Sequence, residues 1–215
     1  MKKKLDLSTI TAAVHLVAVL SIVCFGTIYL TLSILAIPAL TAAFVIGKDV
    51  IYKQYDVHDG LVKRFFTELS SQMGMMRYFP LQLLILLQTA GIYGAEKTGL
   101  TYLSYPMLVC ISFVCTLIVY VIAYHIFYSP KPPITAVIIA MMYRVQYFII
   151  VWLLTVLSAV LFSVKLMGIL LIAGAVLVLG AEICAFLGIM GYKKLRKELS
   201  DEEKEFFGEE MLRKL

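Results

Sequence analysis

Charge is scarce in this chain. Asp, Glu, Lys and Arg make up 15% of its 215 residues, against about 25% in ordinary soluble domains, and long segments carry none. That scarcity excludes a water-soluble domain, which needs a polar surface around its core, and no segment outside the apolar stretches is long enough to bury a core of its own. The signatures of common chemistry are also missing. There is no G-x-x-x-x-G-K-S/T loop to cradle phosphates, no G-x-S-x-G elbow, no H-E-x-x-H and no pair of catalytic carboxylates on one helix face. Cysteines number four, Cys24, Cys110, Cys115 and Cys184, all in apolar stretches, without a C-x-x-C pair or a histidine at metal-ligand spacing. They are expected as small buried hydrophobes. His15 and His125 lie near opposite ends of their stretches and lack a third ligand, so polar interfacial positions are expected for them rather than a metal site. Neither catalysis, a cofactor nor a metal is expected. No lipidation motif stands at either terminus.

What the chain has instead is apolar length: 61% apolar residues and a mean hydropathy of +0.92. Five stretches, roughly Ile10–Ile37, Tyr78–Gly94, Tyr102–Tyr128, Ile134–Val164 and Leu166–Gly191, approach or exceed the ~20 residues a spanning helix needs. The expected fold is all-α, a polytopic transmembrane bundle of about five spans. A membrane domain over 1–192 precedes a cytoplasmic tail over 193–215. Met1-Lys2-Lys3-Lys4 resembles the start of a signal peptide, but the apolar run after it is about 28 residues, beyond the 7–15 of a cleaved leader, so a retained first span is expected. The net charge of +5 fits lipid headgroups, since the basic residues flank apolar segments; it is not a nucleic-acid signal.

With five spans the termini lie on opposite sides. A cytoplasmic C-terminus puts fourteen basic residues inside and five outside, the ratio the positive-inside rule favours. Lys2, Lys3 and Lys4 oppose it. The alternative is a hairpin of two short helices over 10–47 with both termini inside, for which Gly26-Thr27 is the turn-like pair. In either case Pro38 is expected to end or kink the first helix. Two interfacial helices are expected next, over 39–55 and 60–76. The second begins after Asp59 as N-cap; it repeats Leu61, Val62, Phe65, Phe66, Leu69, Met73 and Met76 at three and four, with Lys63, Arg64, Glu68 and Gln72 opposite. That face can rest on lipid or dock a partner through Lys63, Arg64, Phe65, Phe66, Leu69 and Met73. In the tail, Ser200 and Glu203 have capping-box spacing and Phe206, Phe207, Met211, Leu212 and Leu215 give a weak apolar face.

Ionisable groups inside a membrane are costly and invite a functional hypothesis. Glu182 lies about nine residues before the end of its stretch, or roughly 13 Å in. Arg144, on the preceding antiparallel stretch, is the available counter-charge, reached directly or through Tyr143, Gln146 or Tyr147. Such a pair can fix helix register or form a proton or substrate site. Gly180, Cys184 and Gly188, with Ala181 and Ala185 alongside, form a small-residue ridge that admits another helix of this chain or of a second one. Tyr78, Tyr102, Tyr105, Tyr124 and Tyr128 have the placement of interfacial anchors.

Leu32-Ser33-Ile34-Leu35-Ala36-Ile37-Pro38-Ala39-Leu40-Thr41-Ala42-Ala43 resembles the end of the first span in the YesL-like family of bacterial membrane proteins, with Pro38 and Thr41 in its P-x-x-T. Lys63-Arg64-Phe65-Phe66 through Met76 is similar to that family's amphipathic segment, and Arg144 occupies the place of a basic residue common there. The glycine that usually follows P-x-x-T is absent. The resemblance implies a non-enzymatic accessory subunit in the cytoplasmic membrane of a Gram-positive bacterium, in contact with the permeases and ATPase of an ABC-type carbohydrate importer. This chain itself lacks the EAA-type loop of such permeases. A small independent transporter or channel using Glu182 and Arg144 is the competing expectation; a membrane enzyme or lipid-handling protein is a third, without a nucleophile or metal set to name.

Overall fold

The computed structural model describes residues 7–51, 60–163 and 180–199, and among them every regular element is helical. Helices α1 (Leu7–Leu30) and α2 (Ala36–Ile51) open the chain. Helix α3 (Leu61–Ser71) runs through a 3-10 segment, Gln72–Tyr78, into α4 (Phe79–Lys97). Helix α5 (Ser104–Phe127) returns after a 3-10 turn at Thr101–Leu103, followed by α6 (Ile134–Tyr143), α7 (Val145–Ser163) and α8 (Glu182–Leu195).

Two continuous helices, Leu61–Lys97 and Thr101–Phe127, are long and apolar enough to cross a bilayer. A third is reached if α6 and α7 count as one span, although they bend by 104° about Arg144. Five spans are therefore not reproduced among the described residues. The stretch Ile134–Val164 is broken rather than straight, and most of Leu166–Gly191 lies outside the described residues. So do Met1–Lys4, Lys53, Asp59 and the tail from Ser200. In place of the expected aspartate cap, Gly60 holds the N-cap of α3 in the left-handed region (φ 38°).

The first stretch breaks at 31–35, before Pro38 rather than at it. Leu32 and Ser33 take φ of 49° and 66°, and the Ser33 amide donates to the Ile28 carbonyl at 2.7 Å, a Schellman-like closure of α1. Pro38 then falls in the first turn of α2, where a missing N–H costs nothing. The carbonyl of Ser33 accepts from Gln82 Nε2, so the break is sealed from α4.

Nor does α2 lie on a surface, as expected of 39–55. Ala39, Thr41, Ala42, Ala43, Phe44 and Ile46 are wholly buried, and α2 packs against α1, α3 and α5. Its small residues let neighbouring backbones come close. Around it the core continues through the second half of α5, where Leu117–Tyr124 are all buried. The first half of α5 and the outer face of α4 form an antiparallel hairpin exposing Leu83, Leu87, Tyr105, Leu108 and Val109.

One end of the bundle is tied by polar contacts to the loop after α5. That loop contains Pro130, Pro132 and Pro133, so it has few N–H groups with which to satisfy its own carbonyls. Arg77 donates to the Pro130 carbonyl at 3.1 Å, and Tyr78 Oη to that of Pro132 at 2.6 Å. His125 lies 2.9 Å from both the Pro130 carbonyl and Gln72 Oε1. Lys193 donates to the Phe127 carbonyl at 3.5 Å and stands 5.6 Å from the Tyr128 ring.

Left-handed backbone costs a non-glycine residue roughly 1 kcal/mol or more. Leu32 is 82% exposed, so its side chain contributes little in return. Leu32→Gly should therefore raise stability by about 1 kcal/mol, read as a higher unfolding midpoint in detergent. An unchanged or lower midpoint would contradict this backbone geometry.

Candidate functional site

Glu182 begins α8 and is wholly buried, with no hydrogen-bond partner for either carboxyl oxygen. The group fits into a notch on α2. A Cβ built on Gly47 would overlap Glu182 Oε2 and lie 3.1 Å from the carboxyl carbon and 3.2 Å from Oε1. Only glycine leaves that space. Two residues further along α2, Asp49 forms an ion pair with Arg64 of α3. Asp49 is also close enough to act electrostatically on Glu182. An ionised carboxylate at Glu182 would lack the hydrogen bonds and the counter-charge that burial demands.

Arg144 does not supply that counter-charge. The side of α8 that carries Gly180 and Gly188 packs antiparallel to α7. A Cβ on Gly180 would meet Leu154 Cδ1 at 3.5 Å, and one on Gly188 would meet Tyr147 Cβ at 3.4 Å. Extending this register brings Arg144 level with Met190–Gly191, about 12 Å along the helix from Glu182 at 1.5 Å per residue. Its guanidinium lies 5.5 Å from the Tyr143 ring, which in turn stands 6.1 Å from Tyr192. The expected contact between Glu182 and Arg144, direct or through Tyr143, Gln146 or Tyr147, is not formed.

The other candidate residues separate into groups. On α3, Phe65 and Leu69 enter the core, Arg64 is paired, and Val62, Lys63 and Phe66 are exposed, as is Met73 in the 3-10 segment that follows. The apolar stripe thus divides between an inner and an outer face. Ala181, Ala185 and Gly188 are buried, and Gly180 and Cys184 partly so, as α8 packs on α5 and α7 of the same chain. Pro38 and Thr41 are buried in α2, Thr41 Oγ1 donating to the Ile37 carbonyl at 2.7 Å. The cysteines vary: Cys24 is buried, Cys115 and Cys184 half-buried, Cys110 exposed. The His15 side chain lies outside the described residues.

A cavity of about 270 Å³ opens between the 31–35 break, α2, α4, α5 and α7. Its walls are nearly all apolar; Ser33, Gln82, Thr155 and Ser158 contribute the polar atoms, and Glu182 is not among its lining residues. No group of three His, Cys, Asp or Glu that could hold a metal ion occurs among the described residues.

Sequence reasoning missed Gly47 and Asp49. The available signal was local: Gly47-Lys48-Asp49 ends the first long uncharged run, and Asp49 is the first acidic residue after Asp6. What joined them to Glu182 was tertiary packing across more than 130 positions. No family model matches the chain, and no curated protein or solved structure matches it either.

Gly47→Ala places a methyl group in the space of the Glu182 carboxyl. It should destabilise the fold by about 2 kcal/mol, as overpacking of a core does. Glu182→Ala in the same chain should recover much of that loss. Equal effects of Gly47→Ala with and without Glu182, in a double-mutant cycle of unfolding midpoints, would show that the two do not touch.

Proposed function

We propose that this chain is a non-enzymatic accessory subunit of a bacterial membrane assembly, with an ABC-type importer as host.

 The cytoplasmic membrane, a cytoplasmic C-terminus and carbohydrate as the imported class belong to the same proposal. The single observation that carries it is the outward half of the α3 stripe. Val62 and Phe66 of α3, with Met73 of the 3-10 segment that continues it, are 46%, 51% and 44% exposed, while Phe65 and Leu69 are already used inside the bundle. Large apolar side chains held outward beside the basic Lys63 suit a helix-in-groove contact with a partner subunit. Support for an importer as host comes from the resemblance of Leu32–Ala43 and Lys63–Met76 to the YesL-like family, and for orientation from the fourteen basic residues that a cytoplasmic C-terminus puts inside against five outside. The competing reading, an independent transporter using Glu182 with Arg144, loses its charge pair, and the cavity does not reach Glu182.

Purification from the native membrane in mild detergent, followed by mass spectrometry, should recover two permeases and an ATPase. Phe66→Asp should reduce their recovery at least tenfold while leaving the unfolding midpoint within about 0.5 kcal/mol of the parent, as surface changes do. Phe65→Ala, which empties a core position, should cost about 3 kcal/mol. A stable lone monomer, or undiminished recovery with Phe66→Asp, would overturn the proposal.

A further inference from the structure

We infer that Glu182 is a proton-binding site whose occupancy is coupled, through Asp49 and Arg64, to the amphipathic helix α3. The inference does not depend on which assembly the chain joins. Three observations carry it. The carboxyl is enclosed, and neither oxygen meets a donor. The notch at Gly47 admits it and would admit no side chain in its place. Gly47 lies two residues from Asp49, which holds Arg64 of α3.

The ligand follows from the site's poverty in oxygen. A metal ion requires several oxygen ligands at once, and no cluster of three candidate side chains exists among the described residues. A single carboxyl can hold one proton. The surrounding ionisable groups agree. From α2 come Lys48 and Asp49 beside the notch, and from α3 comes Arg64, engaged by Asp49. From α5, Tyr120 meets α8 at Gly188; from α6 and α7, Tyr143 meets it at Tyr192 and Tyr147 at Gly188, with Arg144 stacked on Tyr143. Tyr120 also acts on Cys184, two residues beyond Glu182; the tyrosines of α6 and α7 engage α8 six or more residues beyond it.

Release of the proton leaves a carboxylate on Glu182 and a hydronium ion in solvent. Two like charges, on Glu182 and Asp49, then stand beside one notch and repel. Arg64 is the cation already bound there, so it is drawn toward both carboxylates. Arg64 lies in the first turn of α3 and is followed by the buried Phe65, so a shift of its guanidinium is passed to that helix. Proton uptake favours the seating of the Glu182 side chain against Gly47; proton loss loosens it.

The test uses the full chain in lipid nanodiscs. Infrared difference spectra across pH should show a carboxylic-acid C=O band that disappears as pH rises and is missing in Glu182→Gln. An environment-sensitive fluorophore on Lys63→Cys, with the four native cysteines replaced, should change at the same midpoint. Glu182→Gln should lock that signal in its low-pH state. Asp49→Asn should leave the band titrating while abolishing the fluorescence change. If Glu182→Gln does not fold, Gly47→Ala crowds the same carboxyl and must shift the band. Absence of the band, a band that does not titrate, or a fluorescence change that survives in Glu182→Gln would each overturn the inference.

Discussion

The close packing of α2 is what the rest of the bundle depends on. A single straight helix over residues 10–51 would be about 63 Å long at 1.5 Å per residue, twice the ~30 Å of a hydrocarbon core. The helix breaks instead at 31–35, and α2 after it can be enclosed because alanine, threonine and glycine take many of its inward positions, between the larger Phe44 and Ile46. Ala39, Ala42 and Ala43 bring α1, α3 and α5 close, and Gly47 does the same for the Glu182 side chain of α8. A larger residue at any of these positions would move a neighbouring helix rather than one side chain, because packed interiors have little slack.

Enclosure without water also explains where the polar contacts fall. Backbone groups released by a break or a proline-rich loop must find partners within the protein. Gln82 supplies one to Ser33, and Arg77 and Tyr78 supply two to Pro130 and Pro132. These contacts join segments about fifty positions apart, so α4 is tied to the first break and the 3-10 segment before it to the α5–α6 loop. Glu182 stands against that pattern. Its carboxyl is enclosed without a donor to either oxygen.

Helical class and membrane character were legible in the sequence because both are properties of composition and run length. The site of the first break was not. Pro38 is the stronger punctuation, yet the turn formed at Leu32 and Ser33, residues with no intrinsic preference for left-handed backbone, and the proline served as part of a helix start. The bend at Arg144 was equally hidden, since Ile134–Val164 contains neither proline nor glycine. On α3 the periodicity was legible, but it could not say that Phe65 and Phe66 would part, one to the core and the other outward.

The pairing of Glu182 with Arg144 failed for a reason of register. Both residues lie on antiparallel neighbours, and opposite charge made them natural partners. Yet neighbouring helices share only one axial alignment, and here the contacts of Gly180 with Leu154 and Gly188 with Tyr147 set it. The small-residue ridge that brings α8 close to α7 is therefore what holds Arg144 away from Glu182. The same α8 presents Glu182 to the far end of α2, where Asp49, of the same sign, acts on it. A carboxyl delivered to such a place by packing has no use as a structural ion pair. Its chemistry is left to the proton it can hold and to the Asp49–Arg64 pair beside it.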